Sequence, residues 1–396
     1  MSTKFSDRIL RAIGLRNQEI EVQGTTGARD MIFHDFVNVH KPKIYELICR
    51  YIPKDKEPRK LYETMRDYID RQGKYARPGL LMLVGMMYGA KAEELYLPAA
   101  AQQLSEDWIL MQDDWEDDSE LRRGKPTAHR IYGAVRTVNA TNLGQLEMWH
   151  MLADYRAANG KKGDELYRKF NDMMVYTVEG QEIENEFIHE TKDINSAMNY
   201  KLAGLKIDND IVRSLVEDPA NSTDAFYMRI VDSKTCFYTV YGPMQLGAIA
   251  AGHGDARTLQ ILKEIGTETG IAFQIIDDVL DMIGDEAKFG KKNLGDLYEG
   301  KITLMVLHAY KNSTPDEKSR MDAIYKKKRQ EKTKEEVDFV AALIEKYKGI
   351  EYAKKVSMEH GAKATALIEK YKSELPQNEY ASLFVDAVQA LYKRDK

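Results

Sequence analysis

Two groups of acidic side chains, far apart in the sequence, have the spacing that carboxylates need to act together. The first lies in Asp113–Glu120, where Asp113 and Asp117 are four residues apart and Asp114 follows Asp113 directly. Residues four apart share one face of a helix, so Asp113 and Asp117 would present two like charges side by side. Such a run is most often a solvated acidic face. The apolar residues among 104–111 indicate instead a helix that brings the carboxylates to the rim of a cavity.

The second acidic group lies on a segment that is otherwise apolar. Within residues 270–283, the polar side chains are Gln274, Asp277, Asp278 and Asp281. This spacing places all four on one stripe of a helix whose other faces would be buried. Three carboxylates cannot be buried together without protons or counter-ions. Because magnesium takes oxygen ligands and bridges carboxylates to phosphates, the two groups predict a site for metal ions and a diphosphate.

Several short basic segments could hold anionic groups beside such metal ions. They are Lys74 with Arg77, Arg122 with Arg123, Lys234 with Thr235, Gly290-Lys291-Lys292, and Lys301. The planar fork of arginine suits phosphate oxygens. Each segment alone is typical of a surface loop. Together with the two acidic groups, they indicate two anionic ligands, one held by metal ions and one by basic side chains.

The composition indicates which elements position these residues. Hydrophobic residues make up 43% of the 396, enough for a large core, and the charged fraction of 31% exceeds the usual share of about 25%. Apolar residues recur at helical spacing from about residue 31. Short β-branched runs at 175–178 and 239–241 are too isolated to form a sheet, so we predict an all-α fold. The net charge of −5 argues against a protein that binds nucleic acid.

The domain organisation predicted from the sequence is simple. Residues 1–30 form an N-terminal arm, and residues 31–396 form a single helical domain with an insertion at about 190–222. No apolar run is long enough to span a membrane. Cys49 and Cys236 lack metal-ligand spacing and are typical of buried thiols in a reducing compartment. We therefore expect a cytoplasmic protein without a transmembrane segment.

From about residue 40, the sequence resembles the trans-prenyl diphosphate synthases. The two acidic groups are similar to that family's two aspartate-rich motifs, and Lys74 with Arg77 is similar to its G-K-x-x-R-P motif. Residues 179–181 are similar to its E-G-Q element. The resemblance implies the isoprenoid synthase fold, a bundle of long antiparallel helices around a deep central cavity. It also implies a homodimer.

The resemblance further implies a role for each residue of the two motifs and the basic segments. Magnesium ions, three per active site and replaceable by manganese, would be held by Asp113, Asp117 and Asp277. The catalytic set would also include Asp114, Asp278, Asp281, Lys234 and Lys291. The allylic diphosphate would contact Arg122, Lys234, Thr235, Gln274, Lys291 and Lys301. Isopentenyl diphosphate would contact Lys74, Arg77 and Arg123, with Glu106 facing the same pocket.

The implied activity is the head-to-tail condensation of isopentenyl diphosphate with an allylic diphosphate. Trp108 followed by Ile109 is similar to the archaeal type that makes geranylgeranyl diphosphate, and the Trp108 indole would limit chain length. Farnesyl and geranylfarnesyl diphosphate remain alternative products. Glu106, where the family has histidine or glutamine, and Tyr75 leave open a weakly active or regulatory subunit of a heteromeric synthase. A class I terpene cyclase is disfavoured, because the second motif and the basic segments are both present.

Overall fold

The structure is a computed structural model that describes residues 32–191, 194–198, 207, 209–217, 224–283 and 294–393. Its α-helices are α1 (Phe33–Tyr51), α2 (Arg59–Arg71), α3 (Ala76–Met87), α4 (Ala92–Glu116), α5 (Ala128–Tyr132), α6 (Ala134–Glu186), α7 (Ile194–Met198), α8 (Asp210–Glu217), α9 (Ala225–Val231), α10 (Gly242–Ala250), α11 (Ala256–Ile283), α12 (Gly295–Glu299), α13 (Leu304–Asn312), α14 (Pro315–Tyr325), α15 (Lys334–Lys346), α16 (Gly349–Lys370) and α17 (Glu379–Tyr392). Two π-helices, π1 (Phe187–Thr191) and π2 (Asp232–Tyr241), and a 3₁₀ turn at Arg329–Glu331 complete the helical elements that are described.

The strands among the described residues form a single small hairpin. Strands β1 (Leu121–Arg122) and β2 (Lys125–Pro126) pair antiparallel between α4 and α5. Residues 175–178 lie in α6 and residues 239–241 lie in π2, so both β-branched runs are helical as predicted. The all-α fold is confirmed.

Parts of the predicted domain organisation lie outside the described residues. These parts are the N-terminal arm at 1–30 and about half of the insertion at 190–222, of which α7 and α8 are described as helices. The division into an arm, one domain and an insertion stays a prediction. No helix in the described ranges is both long enough and apolar enough to cross a bilayer.

Helix α4 presents the first acidic group and packs along α6. At its start, the Glu94 carboxylate accepts a hydrogen bond from the Lys91 backbone N–H at 3.0 Å, which satisfies a donor that the first turn leaves unpaired. The helix ends at Glu116, but Asp117 keeps helical dihedral angles, and its N–H bonds to the Asp113 carbonyl at 2.8 Å. Asp113 and Asp117 therefore keep the one-turn spacing that the sequence predicts.

Helix α6 is the longest described helix, and it is interrupted once. At Gly160, φ is 55° and ψ is −126°, so the chain leaves helical geometry there, where the sequence predicts a turn. The half that follows Gly160 reaches the cavity with Thr177, Gln181 and Glu184.

The π-helix π2 lies between α9 and α10 without a break and carries Lys234 and Thr235. A π-helix is wider than an α-helix and is frequent at functional sites. Helix α11 packs directly against it, because Gly270 allows close approach. A Cβ atom at Gly270 would lie 2.7 Å from the Cys236 Cα atom. This contact fixes the second acidic group of α11 beside Lys234 and Thr235.

Helices α3 and α10 also depend on a glycine contact. A Cβ atom at Gly247 would lie 2.3 Å from the Leu81 carbonyl oxygen and 2.8 Å from the Gly85 nitrogen. Both neighbours are backbone atoms of α3, so they cannot move without displacing that helix.

We therefore expect Gly247→Ala to lower the free energy of unfolding by about 1–3 kcal/mol, the usual cost of overpacking a core. Denaturant unfolding followed by circular dichroism measures this change. Asn142→Ala, at an exposed position of α6, is the control and should stay within about 0.5 kcal/mol of wild type. Equal stability of Gly247→Ala and wild type would contradict the described contact between α3 and α10.

Candidate active site

A cavity of about 560 Å³ lies between α4, α6, π2 and α11, and both acidic groups reach it. Its polar lining comes from all four elements. Its apolar lining includes Trp108, Ile109, Leu110, Ile230, Val231 and Leu280. The cavity thus places a charged region and an apolar region side by side.

The first acidic group divides between the cavity and the protein interior. Asp113 lines the cavity, whereas Asp114 is fully buried. The Asp114 carboxylate accepts hydrogen bonds from Arg122 Nε at 2.9 Å and Arg122 Nη2 at 2.5 Å, and from the Tyr68 hydroxyl at 2.6 Å. Asp114 therefore anchors the hairpin to the end of α4, and it leaves the cavity to Asp113.

Asp113 and Asp117 experience opposite electrostatic environments. Burial alone would raise the pKa of Asp113, but Lys234, Lys301 and Arg122 together hold it below its ordinary value. Burial, with the charges of Asp113 and Glu299, raises the pKa of Asp117 to about 8 despite the nearby Lys301. The Lys301 ammonium lies 3.2 Å from Asp117 and 2.7 Å from Glu299.

The second acidic group lies along one face of α11, as predicted, and all four of its polar side chains line the cavity. Gln274 joins this group to π2, since its carbonyl oxygen accepts a hydrogen bond from the Thr235 hydroxyl at 2.5 Å. Asp278 accepts hydrogen bonds from the Gln274 amide and the Tyr227 hydroxyl, both at 2.7 Å. Burial raises the pKa of Asp278 to about 7 even so. Asp281 accepts a hydrogen bond from the Asp296 backbone N–H at 3.1 Å.

The oxygen-rich donor set of this cavity fits a hard divalent cation. Among the described residues, no three acidic, histidine or cysteine side chains already converge on one point. Burial, with smaller contributions from neighbouring carboxylates, raises the pKa values of Asp117 and Asp278, and a nearby divalent cation would favour their charged forms. Magnesium uses few protein carboxylates and completes its shell with waters and ligand phosphates. Asp113 and Asp277, which line the cavity, fit that pattern, with ligand oxygens supplying the remaining positions. Asp117, one helical turn after Asp113, lies behind the lining.

The predicted second anion pocket contains acidic groups as well as basic ones. Lys74, Arg77 and Glu106 line the cavity. Glu106 lies 3.2 Å from the Arg77 guanidinium and 3.8 Å from that of Arg123. Arg123 also lies 3.3 Å from Asp107, which is 1% exposed.

Most of the predicted site residues meet at this cavity. Trp108, Ile109, Arg122, Lys234, Thr235 and Lys301 line it, in addition to the residues already described. Asp114, Asp117 and Arg123 lie behind the lining and act on residues within it. Lys291 lies outside the described residues.

Several residues that contact the predicted site residues were missed in the sequence. Glu184 forms an ion pair with Lys234, and Glu299 forms one with Lys301. Tyr227 bonds to Asp278, and Asp107 contacts Arg123. Glu184 follows the E-G-Q element by three residues and Glu299 precedes Lys301 by two, so their spacing carried a signal. Tyr227 and Asp107 carried none, because both contacts are made between distant segments.

Comparisons with known proteins agree on one family. The family model described as polyprenyl synthetase matches residues 58–344. The chain is 30% identical to a short chain isoprenyl diphosphate synthase of Methanocaldococcus jannaschii, over 76% of this chain and 82% of that protein. It is 31% identical to a geranylfarnesyl diphosphate synthase of Aeropyrum pernix, over 65% and 72%. A solved geranylgeranyl pyrophosphate synthetase of Pyrococcus horikoshii superposes with a TM-score of 0.73 at 27% identity, over 92% of this chain and 98% of that one.

The contacts of Asp114 predict a structural role that Asp117 does not share. Asp114→Asn would leave the Arg122 guanidinium partly buried without its closest counter-charge. We expect the free energy of unfolding to fall by about 3 kcal/mol or more, as when one partner of a buried ion pair is removed. Urea unfolding measures the loss. A change below about 1 kcal/mol would contradict the anchoring role.

Asp117→Asn is the matched control, measured without divalent cations. The folded pKa of about 8 lies above the ordinary value of 3.8, so the folded chain holds this proton more tightly than the unfolded chain. The Asp117 contribution to stability is therefore lost as pH rises through about 4 to 8. The asparagine is neutral throughout, so the variant should be at least as stable as wild type at pH 8. A large loss in both variants would mean that the two carboxylates have the same role.

Proposed function

Because this chain belongs to the polyprenyl synthetase family and is a prenyltransferase, we propose that it condenses isopentenyl diphosphate head to tail with an allylic diphosphate. The favoured product is the twenty-carbon geranylgeranyl diphosphate. The observation that carries the proposal is the pair of carboxylate groups that α4 and α11 present to one cavity. Basic side chains lie beside both groups, which suits a ligand with two phosphates.

The first diphosphate would be held by metal ions and by the charged residues around them. Asp113, Asp117 and Asp277 would hold the ions, three in number, and manganese would be able to replace magnesium. Bound there, such ions would neutralise the leaving diphosphate as the allylic C–O bond breaks.

The basic residues would supply further donors to the same diphosphate. Lys234 and Thr235 on π2, with Arg122, Lys301 and Gln274, line the cavity beside the two acidic groups. Lys291, outside the described residues, stays a further candidate. In this structure Lys234 pairs with Glu184 and Lys301 with Glu299. These carboxylates would hold the two ammonium groups in place until the diphosphate arrives.

The second substrate would lie with its diphosphate on Lys74, Arg77 and Arg123. Electrons of its double bond would form the new C–C bond with the allylic cation, and a proton would leave the adjacent carbon. No strong base among the described lining residues suits that proton, so the released diphosphate is the proposed acceptor. The apolar part of the lining would keep water from the cation.

Product length would depend on the residues that precede Asp113 on α4. Trp108 is 5% exposed and lines the cavity one and a half turns before Asp113, and Ile109 lines it as well. An indole at this depth would stop the growing chain, which favours geranylgeranyl diphosphate. Farnesyl and geranylfarnesyl diphosphate remain alternatives.

The proposal includes a homodimer. Ile131, Val135 and Leu146 are large apolar side chains that lie exposed on α5 and along the outer face of α6. Exposed apolar residues on these two consecutive helices support an interface with a second copy of the chain.

The activity is tested by incubating the purified chain with isopentenyl diphosphate, each allylic diphosphate and magnesium, and by identifying the products. Asp113→Asn and Asp277→Asn should each lower turnover at least about 100-fold, since each removes a proposed metal ligand. Asp172→Asn, on an exposed part of α6, is the matched control and should keep wild-type turnover.

Turnover within about tenfold of wild type in either variant would remove that residue from the metal site. A wild-type chain that makes no prenyl product alone, yet becomes active with a second synthase chain, would support the regulatory subunit. A cyclic hydrocarbon made from the allylic substrate alone would support the cyclase.

Removing the indole should lengthen the product. Trp108→Ala deepens the cavity, so we expect products longer than those of wild type, measured by chromatography after dephosphorylation. Trp149→Ala is the control, because Trp149 packs against Tyr167 and Phe170 outside the cavity lining. Unchanged chain length in Trp108→Ala would show that other residues form the floor.

A further inference from the structure

The second anion pocket contains a carboxylate at the position where a phosphate is expected to bind. Oε1 of Glu106 lies 3.2 Å from Arg77 Nη1 and 3.8 Å from Arg123 Nη2. Glu106 is 8% exposed and lines the cavity together with Arg77 and Lys74. Its carboxylate therefore pairs with the guanidinium groups that a diphosphate would need.

The donors and acceptors of this group are incompletely paired. Oε2 of Glu106 and Nε of Arg77 are both buried, and neither has a hydrogen-bond partner within the described ranges. Buried polar atoms are usually paired, because a buried polar atom without a partner destabilises the fold. The ion pair between Glu106 and Arg77 thus leaves a buried donor, Arg77 Nε, to which an anionic ligand could offer an oxygen.

Asp107, the next residue, holds Arg123 from the other side. Its Oδ1 atom lies 3.3 Å from Arg123 Nη1, and the same nitrogen donates to the Tyr68 carbonyl at 3.1 Å. Asp107 does not line the cavity. Arg123 therefore keeps a permanent partner behind it, while Glu106 is the partner on the side of the ligand.

A diphosphate entering this pocket would place new negative charge beside a buried carboxylate. Like charges at such a site favour protonation of one of them. The pocket has three basic side chains, Lys74, Arg77 and Arg123, and two acidic ones, so a fully ionised Glu106 would cancel much of the attraction.

We propose that Glu106 is a displaceable counter-ion of Arg77 and Arg123, and that the second diphosphate displaces it while the Glu106 carboxylate takes up one proton from solvent. This inference rests on the proposed function, because it assigns the second diphosphate to this pocket. Glu106 thereby sets the affinity of the pocket and makes it depend on pH: binding weakens as pH rises.

The other titratable groups near Glu106 are limited. Those that face it are Lys74, Arg77, Arg123, Asp107, Tyr75 and Tyr238, and Lys41 acts on Asp107 and Arg123 from α1. Burial raises the pKa of both tyrosines, so they stay neutral between pH 6 and 9. Burial also raises the pKa of Asp107, to about 7. Asp107 is therefore the competing proton acceptor that an experiment must separate from Glu106.

The test is calorimetric binding of isopentenyl diphosphate to the full chain at pH 8. Magnesium is present, and the first site is saturated with an allylic thiodiphosphate, an analogue whose C–S bond does not break to give the allylic cation. Titrations in two buffers of different ionisation enthalpy count the protons taken up. We expect about one proton per ligand for wild type, and little or none for Glu106→Gln, which should bind about tenfold more tightly. Asp107→Asn should keep the uptake. Glu106→Ala gives the same test if the glutamine variant does not fold.

Each other outcome contradicts the inference. Uptake that persists in Glu106→Gln would assign the proton to Asp107, Lys41 or the ligand. Weaker binding by Glu106→Gln would mean that the carboxylate helps the ligand to bind. Binding by wild type without proton uptake would overturn the inference and leave the proposed function standing. No binding by any variant would overturn both.

Discussion

Two helices, α4 and α11, hold carboxylates at one cavity, where burial and mutual repulsion both disfavour their charged forms. Asp113 on α4 and the aspartates of α11 face the same cavity, and the neighbouring cations lower the pKa of Asp113 but leave that of Asp278 raised. Burial is the main cause of the raised pKa values of Asp117 and Asp278, and the neighbouring carboxylates add to it. A fold that keeps these groups ionised for binding must supply charge from elsewhere, and the proposed source is metal ions that arrive with a diphosphate.

The helices that carry these carboxylates are held in place by contacts that do not involve the carboxylates of the cavity lining. Gly270 brings α11 directly against π2, and Gly247 brings α10 against α3. Asp114 ties the hairpin to the end of α4 through Arg122. The carboxylates therefore cannot relieve their repulsion by moving apart, and the apolar lining between them stays in place. In the second pocket, Asp107 likewise holds Arg123 in place, and Glu106 supplies a second negative charge near the same guanidinium.

The sequence predicted the stripe on α11 well, because its polar residues stand on a helix that is otherwise apolar. Helical periodicity alone places its four polar residues, Gln274, Asp277, Asp278 and Asp281, on one face. It could not separate Asp113 from Asp114, since neighbouring residues differ in direction by about 100° and either could face the cavity. The hairpin brings Arg122 back to Asp114, and this ion pair makes Asp114 the buried residue of the two. Contacts such as Tyr227 with Asp278, and Arg123 with Asp107, join segments whose proximity only the folded chain reveals.

We propose that the diphosphate completes a metal site that the chain leaves incomplete. Electron paramagnetic resonance tests this by counting the Mn²⁺ ions bound with and without an allylic thiodiphosphate, an analogue whose C–S bond does not break. We expect about three Mn²⁺ ions to bind tightly per chain, and only with the analogue present, because these ions, like Mg²⁺, need ligand oxygens to complete their coordination shell. Equal binding of Mn²⁺ with and without the analogue, or no binding in either case, would contradict it.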